Sequence, residues 1–506
     1  MATSSLVSSE LRQGRAGIAH RAAPYGWAAG AVLLAWVVMH ALRPVPGFPL
    51  DDPYIVLHSA QVMHWGFDPN YPGVPALYGV TSAPFLALVY GLLFLLRPLT
   101  ALDTACWMGV LAYALGLVKM ARVLRLGAFE GTSLVVLGMI SSFVPIHLLN
   151  GLETPWAMAG VAWALAFSSD AQRYARWAAL AVGIAGAIRP DLAPFAAFLV
   201  IALTVERCRG RQWARRRIAM ELGVLAALAI VPLIPGALWY HHATGAFYPL
   251  TGAAKRYYMA TDHQRWDERL LTEVTLFGVF VITCGPMMAG AFRAMGSAVA
   301  KAILGSISLV LLIAFFGSPD SLAWNLFRYQ VVFTPMVVWG MGFSLRRDAG
   351  WRAGRKMLIA SLVYSAVCVL PFSLCLYLRD SRRFDGGVHE LAAWCQQTLP
   401  AGTRVLVQDA GYIAYGTKLR VIDYVGLKTP EAMTLNKTYS WPTAGRERAK
   451  TVAALSLREH ADYLIVLGQG ADPSTKLPGQ MRMLGWGADA VKSEGVYRVY
   501  LLRPPK

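Results

Sequence analysis

Arg207-Cys208-Arg209-Gly210-Arg211-Gln212-Trp213-Ala214-Arg215-Arg216-Arg217, continuing directly into IAMELGVLAALAIVPLIPGALWY over residues 218–240, decides the fold class. Six arginines crowd the approach to a run whose only charge is Glu221. From Leu222 to Tyr240 no residue is charged, and at about 1.5 Å per helical residue that length crosses a hydrocarbon core of about 30 Å. Positive residues beside such a run are held on the cytoplasmic side. The arginines therefore fix the sidedness, and the run is expected to leave the cytoplasm near 218 and emerge near 240.

Read outward from that anchor, the 506-residue chain is expected to be a polytopic α-helical membrane protein. It is 56% hydrophobic and 15% charged, whereas soluble domains carry about 25% charged residues. A cytosolic enzyme, a nucleic-acid binder and a disulfide-stapled secreted module are set aside together. A second cytoplasmic loop is marked by Arg346, Arg347, Arg352, Arg355 and Lys356, with Arg122/Arg125, Arg173/Arg176 and Arg293/Lys301 on the same side. The net charge of +18 thus reports topology before any polyanionic partner.

Apolar segments fall at roughly 25–42, 82–97, 101–122, 132–149, 155–169, 174–188, 191–206, 218–240, 271–292, 298–316, 329–345 and 357–377. Tyr25 to Leu42 lacks a small-residue cleavage site and reads as a retained first helix. Eleven segments alternate as spans. The segment 82–97 would have to start and finish on one side, and it is short for a crossing, so a short or re-entrant element is expected there. Residues 1–378 then form the transmembrane domain, with a first outer loop at 43–81 and further outer loops at 150–154, 189–190, 241–270 and 317–328. From 379 the composition turns polar. Strand-like runs at Arg404–Val407, Leu419–Ile422, Tyr463–Val466 and Tyr497–Tyr500 alternate with helical patterns near 387–399 and 445–460. Residues 379–506 are expected to form an extracytoplasmic α/β domain. There is no P-loop and no dinucleotide glycine fingerprint, so no nucleotide or redox cofactor is expected. The six cysteines form neither a disulfide framework nor a CxxC metal motif.

The chemistry gathers on the outer side. The first outer loop carries Leu50-Asp51-Asp52-Pro53-Tyr54-Ile55. Adjacent carboxylates raise one another's pKa, and in an extended stretch the two side chains point to opposite sides. One can act as general base while the other holds a metal, a sugar hydroxyl or the loop. The alternative is that one of them simply opens a helix begun by Pro53. Glu153, Arg189, Asp191, Lys255, Arg256 and Arg328 lie at segment ends on the same side. Ionisable groups at membrane depth usually face a cavity or a partner. Here an acidic set meets a basic one, as a site that deprotonates a hydroxyl and holds a phosphate requires. Taken singly, each is also explained by a snorkelling helix end or a mutual salt bridge.

These residues resemble those of the polyprenyl-phosphate-sugar-dependent glycosyltransferases of the C-type membrane fold, and most closely the actinobacterial arabinofuranosyltransferase-like branch. The matching pieces are Asp51-Asp52-Pro53-Tyr54-Ile55, Tyr78-Gly79-Val80-Thr81-Ser82-Ala83-Pro84, Gly151-Leu152-Glu153-Thr154, Ile188-Arg189-Pro190-Asp191, Gly245-Ala246-Phe247-Tyr248-Pro249 leading to Ala254-Lys255, and Arg328-Tyr329. In the C-terminal part, Gln408-Asp409-Ala410-Gly411-Tyr412-Ile413-Ala414-Tyr415 and Val421-Ile422-Asp423-Tyr424-Val425-Gly426-Leu427 continue the series. Their order and spacing carry the resemblance over nearly the whole chain.

The resemblance implies an inverting transfer of a sugar, with a pentofuranose such as arabinofuranose as one candidate. The donor would be a polyprenyl phosphate and the acceptor an extracytoplasmic glycan, lipid or protein. Asp51 or Asp52 maps onto the base. Tyr54, Glu153, Arg189, Asp191, Tyr248, Lys255, Arg328 and Tyr329 map onto substrate binding, with Arg328, Lys255 and Arg189 holding the phosphate. A divalent cation between Asp52 and the phosphate and a purely cationic side-chain clamp are both compatible with these residues. The implied location is the bacterial cytoplasmic (inner) membrane, with active site and C-terminal domain facing outward and no nucleic-acid partner. The competing reading is a polytopic transporter or flippase for a lipid-linked sugar. Paired halves with interrupted helices would mark it, and no internal repeat is visible.

Overall fold

The computed structural model describes Gly30 and residues 47–209, 211, 213–346, 351–468, 473–493 and 495–505. Apart from Gly30, the expected first helix at 25–42 lies outside these residues, as does Arg347. The helical body comprises α1 (Asp52–Trp65), α2 (Ala83–Leu92), α3 (Pro98–Val123), α4 (Ala128–Ile140), α5 (Val144–Leu149), α6 (Thr154–Ser168), α7 (Ala171–Ile188), α8 (Ala193–Cys208) and α9 (Arg215–Thr244). It continues with α10 (Thr251–Met259), α11 (Trp266–Cys284), α12 (Met287–Phe292), α13 (Ala298–Gly317), α14 (Trp324–Val331), α15 (Thr334–Ser344) and α16 (Arg352–Thr398). Among the described residues α3, α9, α13 and α16 are long and apolar enough to cross a membrane.

Several expected segments are interrupted. The run 132–149 breaks where Ser142 adopts φ 52°, and 271–292 breaks at Gly285. Within the segment 82–97 lies a helix of 10 residues, about 15 Å long, followed by a turn at Leu93–Leu96 that leads into α3. It is the short element anticipated there.

Close packing holds the body, because side chains of this composition gain little by exchanging lipid for one another. The indoles of Trp156 and Trp163 on α6 lie over α3 and donate to the carbonyls of Ala105 (2.8 Å) and Ala112 (3.0 Å). Gly109 and Gly116 leave the room for them. One core cluster runs from Tyr113, Leu117 and Phe143 to Phe280, Phe333 and Trp339.

The 379 boundary falls inside α16, a continuous helix of 47 residues with π-helical turns at Ser365–Val369 and Asp385–His389. The expected segment 357–377 and the helical pattern at 387–399 are thus one rod. It delivers the chain to a five-stranded sheet of β1 (Arg404–Val407), β2 (Arg420–Asp423), β3 (Tyr463–Leu467), β4 (Gly487–Lys492) and β5 (Tyr497–Arg503), in the order β2-β1-β3-β5-β4. β1 pairs in parallel with β2 and β3, and β5 runs antiparallel to β3 and β4. Four strands lie where the sequence places them. β4 does not, because GADAVK is small and polar and pairs only with β5 at the edge of the sheet.

α1 and the loop that joins it to α2 share the core of the C-terminal domain. Tyr54, Tyr71 and Leu77 share a cluster with Val405, Ile413 and Ile422. Asn70 donates from Nδ2 to the carbonyls of Thr417 (3.1 Å) and Leu419 (2.8 Å), and its own carbonyl accepts from Val421 N. Tyr71 donates its hydroxyl to Ala410 O at 2.8 Å.

Candidate active site

Asp51 and Asp52 are not extended. Pro53 lies in the first turn of α1, Asp51 occupies the N-cap position, and its backbone is already in the right-handed helical region. That opening turn sends the two carboxylates to different places. Asp51 does not cap its own helix. It accepts from Gly411 N and Tyr412 N, both at 2.7 Å, on the C-terminal domain. Gly411 is required by this approach, since a Cβ there would lie 2.3 Å from Asp51 O. Burial and the nearby Asp409 raise the Asp51 carboxyl well above its usual range, against the two amides that lower it.

Asp52 lines a narrow cleft with Thr81, Glu153, Thr251, Lys255 and Arg328, with Gly79 and Leu427 on its wall. Its Oδ2 receives Asn325 Nδ2 at 2.7 Å, Lys255 Nζ at 3.4 Å and Arg328 Nη1 at 3.5 Å. Its Oδ1 has no hydrogen-bond partner among the described residues. Burial acts to raise Asp52, but Lys255, Arg328 and the Asn325 amide outweigh it and hold the carboxyl below its usual value. Burial acts to lower Lys255 and is outweighed by Asp52, so the ammonium is raised.

The remaining polar residues form a chain of support. Arg328, 5% exposed, donates through Nη2 to the buried Glu153. Arg189 clasps Asp191 at 3.0 and 2.6 Å, donates to Arg328 O at 3.2 Å and lies 4.9 Å over the Tyr329 ring. Asp52, Glu153, Lys255 and Arg328 are therefore brought together at the cleft, with Arg189, Asp191 and Tyr329 behind Arg328. Two expected residues are not brought there. Tyr54 is fully buried against Phe384 and Tyr412, with its hydroxyl accepting from Phe48 N, while Tyr248 is 63% exposed outside the cleft lining. Arg256 turns away to Asp262.

Asn325 was not among the expected residues. It begins three successive left-handed residues, Asn325 (φ 49°, ψ 48°), Leu326 (φ 59°, ψ 53°) and Phe327 (φ 64°, ψ 29°), within α14. Such a conformation costs a non-glycine residue about 1–2 kcal/mol. Its neighbours keep it in place: His147 Nε2 meets Leu326 O at 2.7 Å while Asn150 Nδ2 meets His147 Nδ1 at 2.8 Å, and Phe327 stacks on Phe143 with centroids 4.5 Å apart. The available sequence signal was an asparagine, a residue that tolerates left-handed backbone, three positions before Arg328. Among the described residues no three His, Cys, Asp or Glu side chains converge as a metal site.

Solved structures share the fold of this helical body with its C-terminal α/β domain. ArnT from Cupriavidus metallidurans bound to undecaprenyl phosphate matches with a TM-score of 0.55 at 14% identity, over 93% of this chain and 97% of that one. The Archaeoglobus fulgidus oligosaccharyltransferase AglB, in complex with an inhibitory peptide and a dolichol-phosphate, matches with a TM-score of 0.52 at 12% identity, over 92% and 73%. A structure of the same oligosaccharyltransferase with Zn and sulfate matches at 0.50 and 13% identity, over 93% and 73%. Residues 378–500 match the family described as "Domain of unknown function (DUF8728)". No curated protein matches the sequence.

Proposed function

We propose that this chain is an inverting glycosyltransferase that moves a sugar from a polyprenyl phosphate to an acceptor hydroxyl, with Asp52 as general base. The observation that carries the reading is the asymmetry of Asp52 at the cleft: Oδ2 is held by three donors, and Oδ1 has no hydrogen-bond partner among the described residues. The undecaprenyl phosphate and dolichol-phosphate bound by the fold neighbours support a lipid-phosphate donor. The sugar class is a pentofuranose such as arabinofuranose, and the acceptor an extracytoplasmic glycan, lipid or protein. The topology is eleven spans plus the short α2, in the bacterial inner membrane, with cleft and C-terminal domain outside. Residues 1–378 are the transferase domain and 379–506 roof it.

In the reaction the acceptor oxygen attacks the anomeric carbon as the bond to phosphate oxygen breaks. The acceptor proton passes to Asp52 Oδ1, and the lipid phosphate leaves with one more negative charge. Asp52 goes from −1 to neutral as the phosphate goes from −1 to −2, so the total is unchanged. Lys255 and Arg328 lose their carboxylate partner as the leaving group becomes a better one, which stabilises charge where it develops. The resting Asp52 is too acidic to be a strong base. An anionic donor that shares Lys255 and Arg328 raises its basicity, so the base strengthens only when the donor is present.

Transfer from radiolabelled undecaprenyl-phosphate sugars, in membranes bearing the intact chain, tests this. Asp52→Asn is expected to lose about 100-fold or more while undecaprenyl phosphate still binds. Turnover equal to that of the native chain would remove Asp52 from the chemistry.

A further inference from the structure

We infer that Asn325 is a positioning residue for the transfer: its side-chain amide, presented by the left-handed turn 325–327, fixes the Asp52 carboxylate so that Oδ1 alone addresses the acceptor. The inference rests on the reading of Asp52 as base, and it adds a residue that no resemblance supplied. Of the three donors on Oδ2, Asn325 makes the shortest contact, 2.7 Å against 3.4 and 3.5 Å for Lys255 and Arg328. The difference has a chemical consequence. The two cations are the groups an incoming phosphate competes for, and Arg328 is already shared with Glu153. A neutral amide is not drawn off by an anion. When the phosphate engages Lys255 and Arg328, Asn325 is the partner that keeps Oδ2 in place and the carboxylate plane aimed.

The turn explains how an amide comes to be there. A right-handed continuation from Arg328 would carry residue 325 along a different path, so the three positive φ values deliver the Asn325 side chain to Asp52. Side chains on α5 and at its two ends secure the turn: His147 meets the turn's own Leu326 carbonyl, Asn150 holds His147, and Phe143 stacks on Phe327. Preorganisation of this kind is expected where a base must be held to within about 0.5 Å.

The charged and titratable groups facing Asp52 are Lys255 from α10, Arg328 from α14, Glu153 across Arg328 from the turn before α6, and the adjacent Asp51. Of these only Lys255 and Arg328 bond to it, and the third donor, Asn325, is neutral, so removing its amide moves the base without changing the charge count.

The test compares Asn325→Gly with Asp52→Asn and the native chain, using a panel of radiolabelled undecaprenyl-phosphate sugars and measuring kcat and KM across pH. Glycine accepts the left-handed backbone, so this variant removes the amide and keeps the turn. Its kcat is expected to fall roughly ten- to a hundredfold with KM for the donor nearly unchanged. The acid limb of kcat/KM is expected to move up by about one pH unit. A purely structural role would leave that limb in place. Asn325→Asp, which sets a carboxylate against Oδ2, should move it further. If Asp52→Asn is inactive while Asn325→Gly keeps native kcat and pH profile, this inference is overturned and the function stands. If Asp52→Asn is fully active, both fall.

Discussion

The cleft around Asp52 and the seam around Asp51 begin at adjacent residues, yet they neutralise their acids in different ways. In the cleft, Asp52 and Glu153 meet Lys255 and Arg328. In the seam, Asp51 is held by the backbone N–H groups of Gly411 and Tyr412, and Asp423 by those of Val425 and Lys428, while Asp409 accepts the Tyr497 hydroxyl. The pKa directions follow. Cations hold Asp52 low despite burial, whereas burial lifts Asp51 well up and Asp423 to about 6 despite the amides. A side-chain cation can change partners when an anion arrives. A backbone amide is fixed by the fold. The first arrangement suits chemistry in which charge moves, and the second suits a joint between a C-terminal domain and the loop it covers.

The comparison breaks most visibly if the cleft cations are dispensable. Arg328→Ala leaves Glu153 buried without its partner and is expected to destabilise the folded chain by about 3–5 kcal/mol, read as a lower melting temperature in detergent. Adding Glu153→Gln should recover most of the loss. Arg328→Lys should not, because an ammonium is a point donor where the guanidinium reaches Asp52 and Glu153 with separate nitrogens. A single variant as stable as the native chain would mean that the cleft acids are not balanced by Arg328.

At the seam the sharpest test is Lys428. Its ammonium is 1% exposed, donates to Ser59 Oγ at 3.2 Å, and burial pulls it down to about 8 despite Asp68 and Asp423. At neutral pH the folded chain therefore holds a proton under strain. Lys428→Met should stabilise it by about 2 kcal/mol: roughly 3 from the removed shift, less about 1 for the lost hydrogen bond. The sign can be checked against pH. Between about 8 and the ordinary 10.5 the unfolded chain carries a proton that the folded one lacks, so native stability rises with pH across that window. Melting of the methionine variant should be flat there. A rise that persists in the variant would assign it to another group.

Much of this architecture is legible in the sequence because it follows from composition and period: the uncharged run Leu222–Tyr240, the strand-like Arg404–Val407, and the acids and bases gathered at segment ends. The short α2 is readable from a conflict of sidedness, which is a physical argument and not a pattern match. The division of labour between Asp51 and Asp52 is not readable. It depends on Gly411 approaching from 360 residues away, and sequence spacing carries no information on that contact. Asn325 is hidden for a related reason. Its role arises from a left-handed turn that His147 and Phe143 maintain from another helix and loop, so local propensity around 325 points to ordinary helix or loop. Tyr54, which the resemblance maps onto substrate binding, stands two residues after Asp52 on α1 and packs into the seam against Phe384 and Tyr412, a placement that depends on contacts from over 300 residues away.

The smallest expected effect is the one that separates the two aspartates. Asp51→Asn keeps an acceptor for one of its two backbone donors and sets an amide NH₂ against the other, a loss of about 1 kcal/mol. It also removes the carboxylate that Asp409 opposes, so the net change near neutral pH should stay within about 1 kcal/mol. Because the folded carboxyl lies above its unfolded value of 3.8, its contribution is fully present below that value and is lost as pH rises through the raised folded one. The variant should therefore lose stability relative to the native chain in acid and approach it as pH rises, which melting from pH 4 upward would show. Sugar transfer should survive within a few-fold, since Asp51 touches the C-terminal domain and not the cleft, against the hundredfold loss expected for Asp52→Asn. If both variants lose transfer equally, the seam and the cleft work as one unit, and docking of the C-terminal domain is itself part of the reaction.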